Sequence, residues 1–108
     1  SKYGLIIYES LLSNWKQYAD SNEFTYGIDT IRYITGTEKL YKRWDHFEER
    51  VLKAAVGDIN HMQGEFLVKY EKIRHGRSIE KVKFILVKRT SWKQTDYDSA
   101  ALALAHEK

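Results

Sequence analysis

The chain has 108 residues, a length typical of one domain, and its 43% hydrophobic and 31% charged residues are typical of a folded protein. It contains no cysteine, which excludes disulfides and thiolate metal ligands and is consistent with a reducing, cytoplasmic compartment. No long apolar run and no signal-peptide pattern occur, so we expect neither a membrane span nor a membrane partner. Because the chain starts at Ser1 rather than methionine, we expect further sequence upstream.

The positive charge is concentrated in one part of the chain. The formal net charge is +3, yet residues 61–90 alone carry eight basic and three acidic side chains, a net charge of +5. The remaining segments are neutral or slightly acidic. This distribution favours an anionic partner, although a solvated, positively charged sheet face is the alternative.

The first two helices are predicted from apolar residues that recur every three or four positions. The first covers residues 2–19, and the second covers about 28–35, with Arg32 directed outward and Gly36 as its C-terminal stop. The inward residues are predicted to be Leu5, Ile7, Tyr8, Leu11, Leu12, Trp15 and Tyr18 in the first helix, and Ile28, Ile31 and Ile34 in the second.

The third helix is predicted to begin at Asp45 and to end at Asn60 or His61. Asp45 followed three residues later by Glu48 has the spacing of a capping box, in which both side chains satisfy N–H groups of the first turn. The apolar stripe of this helix is predicted to consist of Phe47, Val51, Ala54, Ala55 and Ile59.

The strands are predicted from alternation of apolar and polar residues. Residues 24–26 are long enough for one short strand, whereas 65–73 and 79–88 alternate as an antiparallel hairpin around a turn at 74–77. Helices ahead of a β-hairpin predict an α+β fold, a winged helix, which is a helix-turn-helix variant with three helices and a C-terminal hairpin wing. We assign residues 1–90 to this domain and 91–108 to a C-terminal tail, whose alanine- and leucine-rich segment at 99–105 favours a short helix.

Candidate catalytic residues do not form a recognisable pattern. The histidines are scattered, no glycine-rich phosphate loop or nucleophile elbow occurs, and adjacent glutamates such as Glu48 and Glu49 do not converge on a helix. We therefore expect no enzymatic activity, no metal and no cofactor. The histidines are His46, His61, His75 and His106.

Three groups of polar side chains fit double-stranded DNA instead. An outward face near the start of the third helix can enter a major groove, where Arg50 suits guanine and Glu49 suits a cytosine amino group. The preceding connection and the hairpin tip are placed to meet phosphates. The candidate DNA-binding residues are Lys42, Arg43, His46, Glu49, Arg50, Lys53, Arg74, His75 and Arg77.

Aromatic residues make up 14% of the chain, and most fall on predicted apolar faces, so we expect them in the core rather than stacked on bases. Tyr41 and Trp44 lie beside the basic connection, where they either pack against the start of the third helix or contact sugar and phosphate. Trp92 and Tyr97 belong to the tail and are predicted to hold it to the body. The predicted core aromatics are Trp15, Phe24, Tyr26, Phe47, Phe66, Tyr70 and Phe84.

Four stretches in this order resemble one known family. They read LIIYESLLSNWKQY, IDTIRYITG, KLYKRWDHFEERVLKAAVGDIN and VKYEKIRHGRSIEKVKFILV. Together, from about residue 1 to residue 88, they resemble the C-terminal winged-helix domain of iteron-binding plasmid replication initiators, the Rep proteins of theta-replicating plasmids. The most specific stretch is 41–60, followed by the Gly76-Arg77 turn.

The resemblance implies binding of repeated origin sequences through the third helix, with Arg50 facing DNA and Lys42, Arg43 and Lys53 beside it. It also implies that Arg74 and Arg77, at the tip of the wing, contact the DNA backbone. Members of the family look like two tandem winged helices, so it implies a missing N-terminal winged-helix domain that carries most dimer contacts, with monomers binding iterons and dimers repressing. It also implies origin opening together with a host initiator and helicase.

The sequence departs from the family at one place, and two alternative functions remain open. The family often has basic residues where this chain has Glu48 and Glu49, which shifts the electrostatic contribution toward the wing. One alternative is a winged-helix transcriptional repressor. The other is a protein-interaction or oligomerisation winged helix, in which Tyr41 and Trp44 are covered by a partner protein.

Overall fold

The computed structural model describes residues 2–89, which form three helices and a three-stranded sheet. Helix α1 is Lys2–Gln17, strand β1 is Glu23–Gly27 and helix α2 is Ile28–Thr35. Gly36 ends α2 in the left-handed conformation at φ 70°, where its N–H bonds the carbonyls of Arg32 and Tyr33, as the sequence predicted. The predicted extension of α1 to residue 19 is wrong because a turn begins beyond Gln17.

The third helix, α3, is continuous over 44–61 but changes its hydrogen bonding along its length. It is α-helical over Trp44–Phe47, π-helical over Glu48–Lys53 and α-helical again over Ala54–His61. The predicted capping box is wrong, because Arg43 is the N-cap residue, without a side-chain cap, and Asp45 already lies in the first turn. Glu48 turns toward the sheet instead of the helix start, as described below.

The sheet has the order β1-β3-β2 and is antiparallel throughout. Strands β2 (Phe66–His75) and β3 (Ser78–Lys88) form the predicted hairpin. The turn is shorter than predicted. Arg74 and His75 belong to β2, and only Gly76 and Arg77 form the loop, with Gly76 at φ 63°. This two-residue loop extends the ladder almost to the tip, so that the wing is long.

The core lies between the helices and the inner face of the sheet. The cross-strand pairs Phe24↔Phe84 and Tyr26↔Val82 place β1 against the centre of the hairpin. The predicted aromatics of the described residues all pack in or against this core. Its fully buried side chains include Ile7, Leu11, Ile31, Phe47, Val51, Leu52, Ala55, Ile59, Phe66, Val68, Val82, Phe84 and Leu86.

Three side chains differ from the predicted apolar faces. Leu5 of α1 and Tyr18, just beyond its end, are about half exposed, because only part of the predicted apolar face meets the rest of the fold. Leu52 is fully buried although the predicted stripe omitted it. Leu52 lies three residues before the buried Ala55 and seven before the buried Ile59, so ordinary helical spacing places it on the same buried face.

Within residues 2–89, no helix is long and apolar enough to cross a membrane. The predicted tail, its alanine-rich segment and the expected contacts of Trp92 and Tyr97 lie outside the described residues. The predicted C-terminal boundary of the DNA-binding domain at residue 90 therefore stays a prediction.

Candidate nucleic-acid interface

All nine predicted DNA-binding residues are exposed. Lys42 and Arg43 end the connection between α2 and α3, and His46 lies in the first turn of α3. The π-helical segment carries Glu49, Arg50 and Lys53. Strand β2 ends with Arg74 and His75, and Arg77 lies in the hairpin loop.

A shallow cleft of about 320 Å³ brings the connection and the wing tip together. Lys42 and Trp44 line one side, and Arg74 and Arg77 line the other. Arg32 lies in the same cleft, so four cationic side chains and, among residues 2–89, no carboxylate border it. A cleft lined by one sign of charge concentrates the field and attracts anions. Its further lining residues are Ile28, Ser78 and Ile79.

The alternation of β2 determines which wing residues face α3. Residues two apart point to the same side of a strand, so Val68, Tyr70 and Lys72 share one face of β2. Regular alternation would place Arg74 on this face as well. Val68 is buried in the core, whereas Tyr70 and Lys72 contact α3 through Glu48. A bulge follows, because Ile73 pairs with Lys81 and Arg74 pairs with Ile79. Bulges increase local twist and redirect side chains, and this one lies directly before the cleft-lining Arg74.

Arg32 does not point outward as predicted. Its guanidinium donates hydrogen bonds to the carbonyl oxygens of Thr37 (3.1 Å), Leu40 (2.8 Å) and Tyr41 (2.9 Å). It also lies 4.2 Å from the centre of the Phe47 ring, a cation–π contact with the buried start of α3. Arg32 thus holds the connection in shape, including Tyr41, which has the unusual φ of 52°.

The exposed face of α3 contains paired and unpaired charges. Lys53 lies 3.7 Å from Glu49, and Arg43 lies 2.9 Å from Asp45, so these cations already have partners at the surface. Such exposed pairs are weak and exchange easily for a ligand. Among residues 2–89, the side chain of Arg50 has no hydrogen-bond or ion-pair partner, which leaves its planar guanidinium available.

His75 lies apart from the other candidates. It borders a second depression of about 590 Å³ that adjoins the cleft at Ile28, Ser78 and Ile79 and is also lined by Asp29, Glu80 and Lys81. The structure therefore does not bring His75 into the cationic cleft. Within the described part of the chain, no group of three or more metal-ligating side chains occurs either.

Tyr41 and Trp44 are partly buried against the hydrophobic core. The Trp44 and Phe47 rings lie 5.8 Å apart, and Trp44 also borders the cleft. Trp44 therefore packs against the start of α3, as one of the two predicted roles requires, and Tyr41 packs against the core.

Glu48 connects α3 to the wing. The Tyr70 hydroxyl donates a hydrogen bond of 2.7 Å to its carboxylate, and Lys72 Nζ lies 3.2 Å from the same oxygen. Burial opposes ionisation of this carboxyl, but the bonds from Tyr70 and Lys72 and the charge of Lys72 outweigh it and lower the pKa of Glu48. Burial and the bond to Glu48 together raise the pKa of Tyr70.

Sequence reasoning missed Arg32 and Lys72. Arg32 sits on an amphipathic helix where the pattern favours solvent, and nothing local identifies its distant carbonyl partners. Lys72 had a usable signal, because it continues the inward alternation of Val68 and Tyr70 toward the third helix.

A three-helix body with a sheet order of β1-β3-β2 and a projecting β2–β3 hairpin defines the winged-helix class of domains. The particular family follows from a match over residues 27–86 to the model described as initiator Rep protein, WH2. This match covers more than half of the chain, from the start of α2 to near the end of β3, so the chain belongs to that family. A search of curated proteins found no match. Family membership places the domain among DNA-binding initiators of plasmid replication and confirms the predicted resemblance and fold class.

Proposed function

We propose that the domain binds double-stranded DNA in a sequence-specific manner at direct repeats, the iterons, of a plasmid origin. In this proposal α3 enters the major groove, where Arg50 reads guanine and Glu49 reads cytosine. Lys42, Arg74 and Arg77 contact phosphates beside the N-terminal end of the helix. The remaining predicted contacts are Arg43, His46, Lys53 and His75.

The observation that carries the proposal is the cationic cleft. Two segments more than 30 residues apart in the chain contribute Lys42 on one side and Arg74 and Arg77 on the other. The cleft adjoins Trp44, the first residue of α3. Cations gathered beside the first turn of a helix with exposed polar residues can hold a phosphate backbone while the helix contacts bases in the adjacent major groove.

The proposal extends to the cellular context. The domain acts in the cytoplasm as the second of two winged helices, and the full-length initiator opens the origin with a host initiator and helicase. It acts by binding rather than by catalysis and needs no cofactor. The protein-interaction alternative relied on exposed Tyr41 and Trp44, but both pack against the protein's own core.

Selection of bound duplexes from a random pool at near-physiological salt tests the proposal with the 108-residue chain. We expect one consensus compatible with direct repeats. A consensus with inverted symmetry at a promoter would support a repressor instead, and recovery of no consensus would overturn sequence-specific binding. About six phosphate contacts would lower the affinity roughly a thousandfold between low and moderate salt.

Replacement of Arg50 tests the assignment of base reading. We expect Arg50→Ala to cost about 1–3 kcal/mol of binding free energy and to relax the preference at a single base pair. Lys53→Ala is the matched control on the same segment, and it should weaken all duplexes equally. Uniform loss for Arg50→Ala would reassign this residue to a phosphate.

A further inference from the structure

The contact between α3 and the wing depends on a carboxylate at an unexpected position. Glu48 is the first residue of the π-helical segment, and its side chain is only 14% exposed. Both of its partners belong to the wing strand β2: Tyr70 at 2.7 Å and Lys72 at 3.2 Å. A carboxylate on a DNA-binding surface repels phosphates. Because the Glu48 side chain instead faces the wing strand, we expect it to act within the protein rather than on DNA.

This contact joins the two halves of the proposed interface. Directly after Glu48, Glu49 and Arg50 project from the π-helical segment into solvent. Two residues beyond Lys72, Arg74 reaches the cationic cleft. The rotation of the helix and the position of the wing are therefore tied together at Glu48, within two residues of the groups proposed to contact bases and phosphates.

We propose that Glu48, together with Tyr70 and Lys72, is a positioning group that sets the angle between α3 and the wing and thereby determines sequence discrimination. This inference rests on the proposed function. A fixed angle makes base contacts and phosphate contacts form on the same duplex in one register. Loosening the angle leaves the cations present, so non-specific attraction persists while the right and wrong sequences become harder to distinguish.

Tyr70→Phe tests this inference because it removes the hydroxyl and retains the ring. The measured quantity is the ratio of affinities for the selected consensus duplex and for a shuffled duplex of equal composition. We expect this ratio to fall about fivefold to tenfold, with the salt dependence of binding to the shuffled duplex unchanged. Glu48→Gln retains an acceptor for Tyr70 and loses the charge opposite Lys72, so its ratio should lie between those of the wild type and Tyr70→Phe.

Tyr26→Phe is the matched control. Tyr26 also belongs to the sheet, its ring lies against Phe84 as that of Tyr70 does, and its hydroxyl bonds Ser10 and Asn14 at 2.7 Å each. These partners lie in α1, away from the proposed interface. Tyr26→Phe should lower the thermal midpoint by at least as much as Tyr70→Phe but leave the affinity ratio unchanged.

Two results would overturn the inference while the proposed function stands. One is a Tyr70→Phe chain that selects and discriminates like the wild type. The other is an equal loss of discrimination in Tyr26→Phe, which would make the effect one of general stability. Failure of the wild-type chain to select any consensus would instead overturn the proposed function and this inference together.

Discussion

The connection before α3 and the tip of the wing face each other across the cationic cleft, but they are held in opposite ways. The connection is fixed by a side chain, because Arg32 binds three of its carbonyl oxygens and covers Phe47. The tip is fixed mainly by backbone, through the β2–β3 ladder and the left-handed Gly76. Arg74 and Arg77 remain exposed there, and their one described contact is a long 3.4 Å hydrogen bond from Arg74 to the Arg77 carbonyl.

The difference shows that the three arginines bordering one cleft have different roles. The guanidinium of Arg32 is occupied by the protein, so its loss is expected to reduce stability. The guanidinium groups of Arg74 and Arg77 are available to an anion, so their loss is expected to reduce binding. Substitutions on the two sides of the cleft therefore separate folding from recognition.

The largest expected effect is that of Arg32→Ala on stability. It removes three charge-assisted bonds and the ring contact that support Tyr41 at its positive φ, and we expect the free energy of unfolding to fall by about 3 kcal/mol. Arg32→Lys should recover part of this, since an ammonium lacks the planar fork. Urea unfolding measures both values.

Arg43→Ala is the control for this substitution on the same connection. Arg43 is exposed and pairs only with the exposed Asp45, so its removal should change the free energy of unfolding by less than about 0.5 kcal/mol. Equal losses for Arg32→Ala and Arg43→Ala would contradict the structural role assigned to Arg32.

The double substitution Arg74→Ala/Arg77→Ala should have the next largest effect, and on binding rather than folding. We expect the affinity to fall about 30-fold on all duplexes and the salt slope to decrease by about 2, as two phosphate contacts are lost. Lys16→Ala/Lys88→Ala removes the same charge from a different depression of the surface and should leave the salt slope nearly unchanged. Equal slopes for the two double variants would show that net charge alone matters.

The two sides of the cleft also differ in how far the sequence predicts them. The wing is predictable, because alternation along β2 and β3 and a glycine in the loop are local signals that need no knowledge of the rest of the fold. Its bounds are off by two residues, since Arg74 and His75 look like turn residues but continue the ladder. The exposure of Arg50 follows equally from helical periodicity.

The connection and the helix start are less predictable because tertiary contacts determine them. Asp45 and Glu48 have capping-box spacing, yet Glu48 is drawn to Tyr70 and Lys72, more than 20 residues away. The same contact accompanies the π-helical segment, which has no recognisable local signal in the sequence. Arg32 has no local signal, because its partners are backbone carbonyls that become accessible only when the connection folds.

Gly76→Ala tests the backbone support of the wing tip. A Cβ at Gly76 meets no atom within 4 Å, so the cost comes from the positive φ alone and should be about 1 kcal/mol in the free energy of unfolding. Gly57→Ala is a control of opposite sign, because Gly57 is exposed in the helical segment Ala54–His61, and alanine there should stabilise the protein by up to about 1 kcal/mol. Stabilisation by both substitutions would contradict the assigned φ of the tip.

The smallest expected effect is a pH dependence of the free energy of unfolding. It arises at the base of the wing, where the Glu48 side chain contacts Tyr70 and Lys72. The pKa of Glu48 lies below its ordinary value of 4.5 in the folded protein, so ionised Glu48 stabilises the fold at pH values above 4.5. This contribution is lost as the pH falls through the lowered pKa and the carboxylate is protonated. The difference in unfolding free energy between the wild type and Glu48→Gln should therefore shrink below about pH 4.5.

Glu9→Gln, at an exposed position of α1, should show no such convergence with the wild type. A constant difference between wild type and Glu48→Gln from neutral to acidic pH would mean that the charge of Glu48 does not hold the wing to the helix, which would leave hydrogen bonding by Tyr70 as the remaining support.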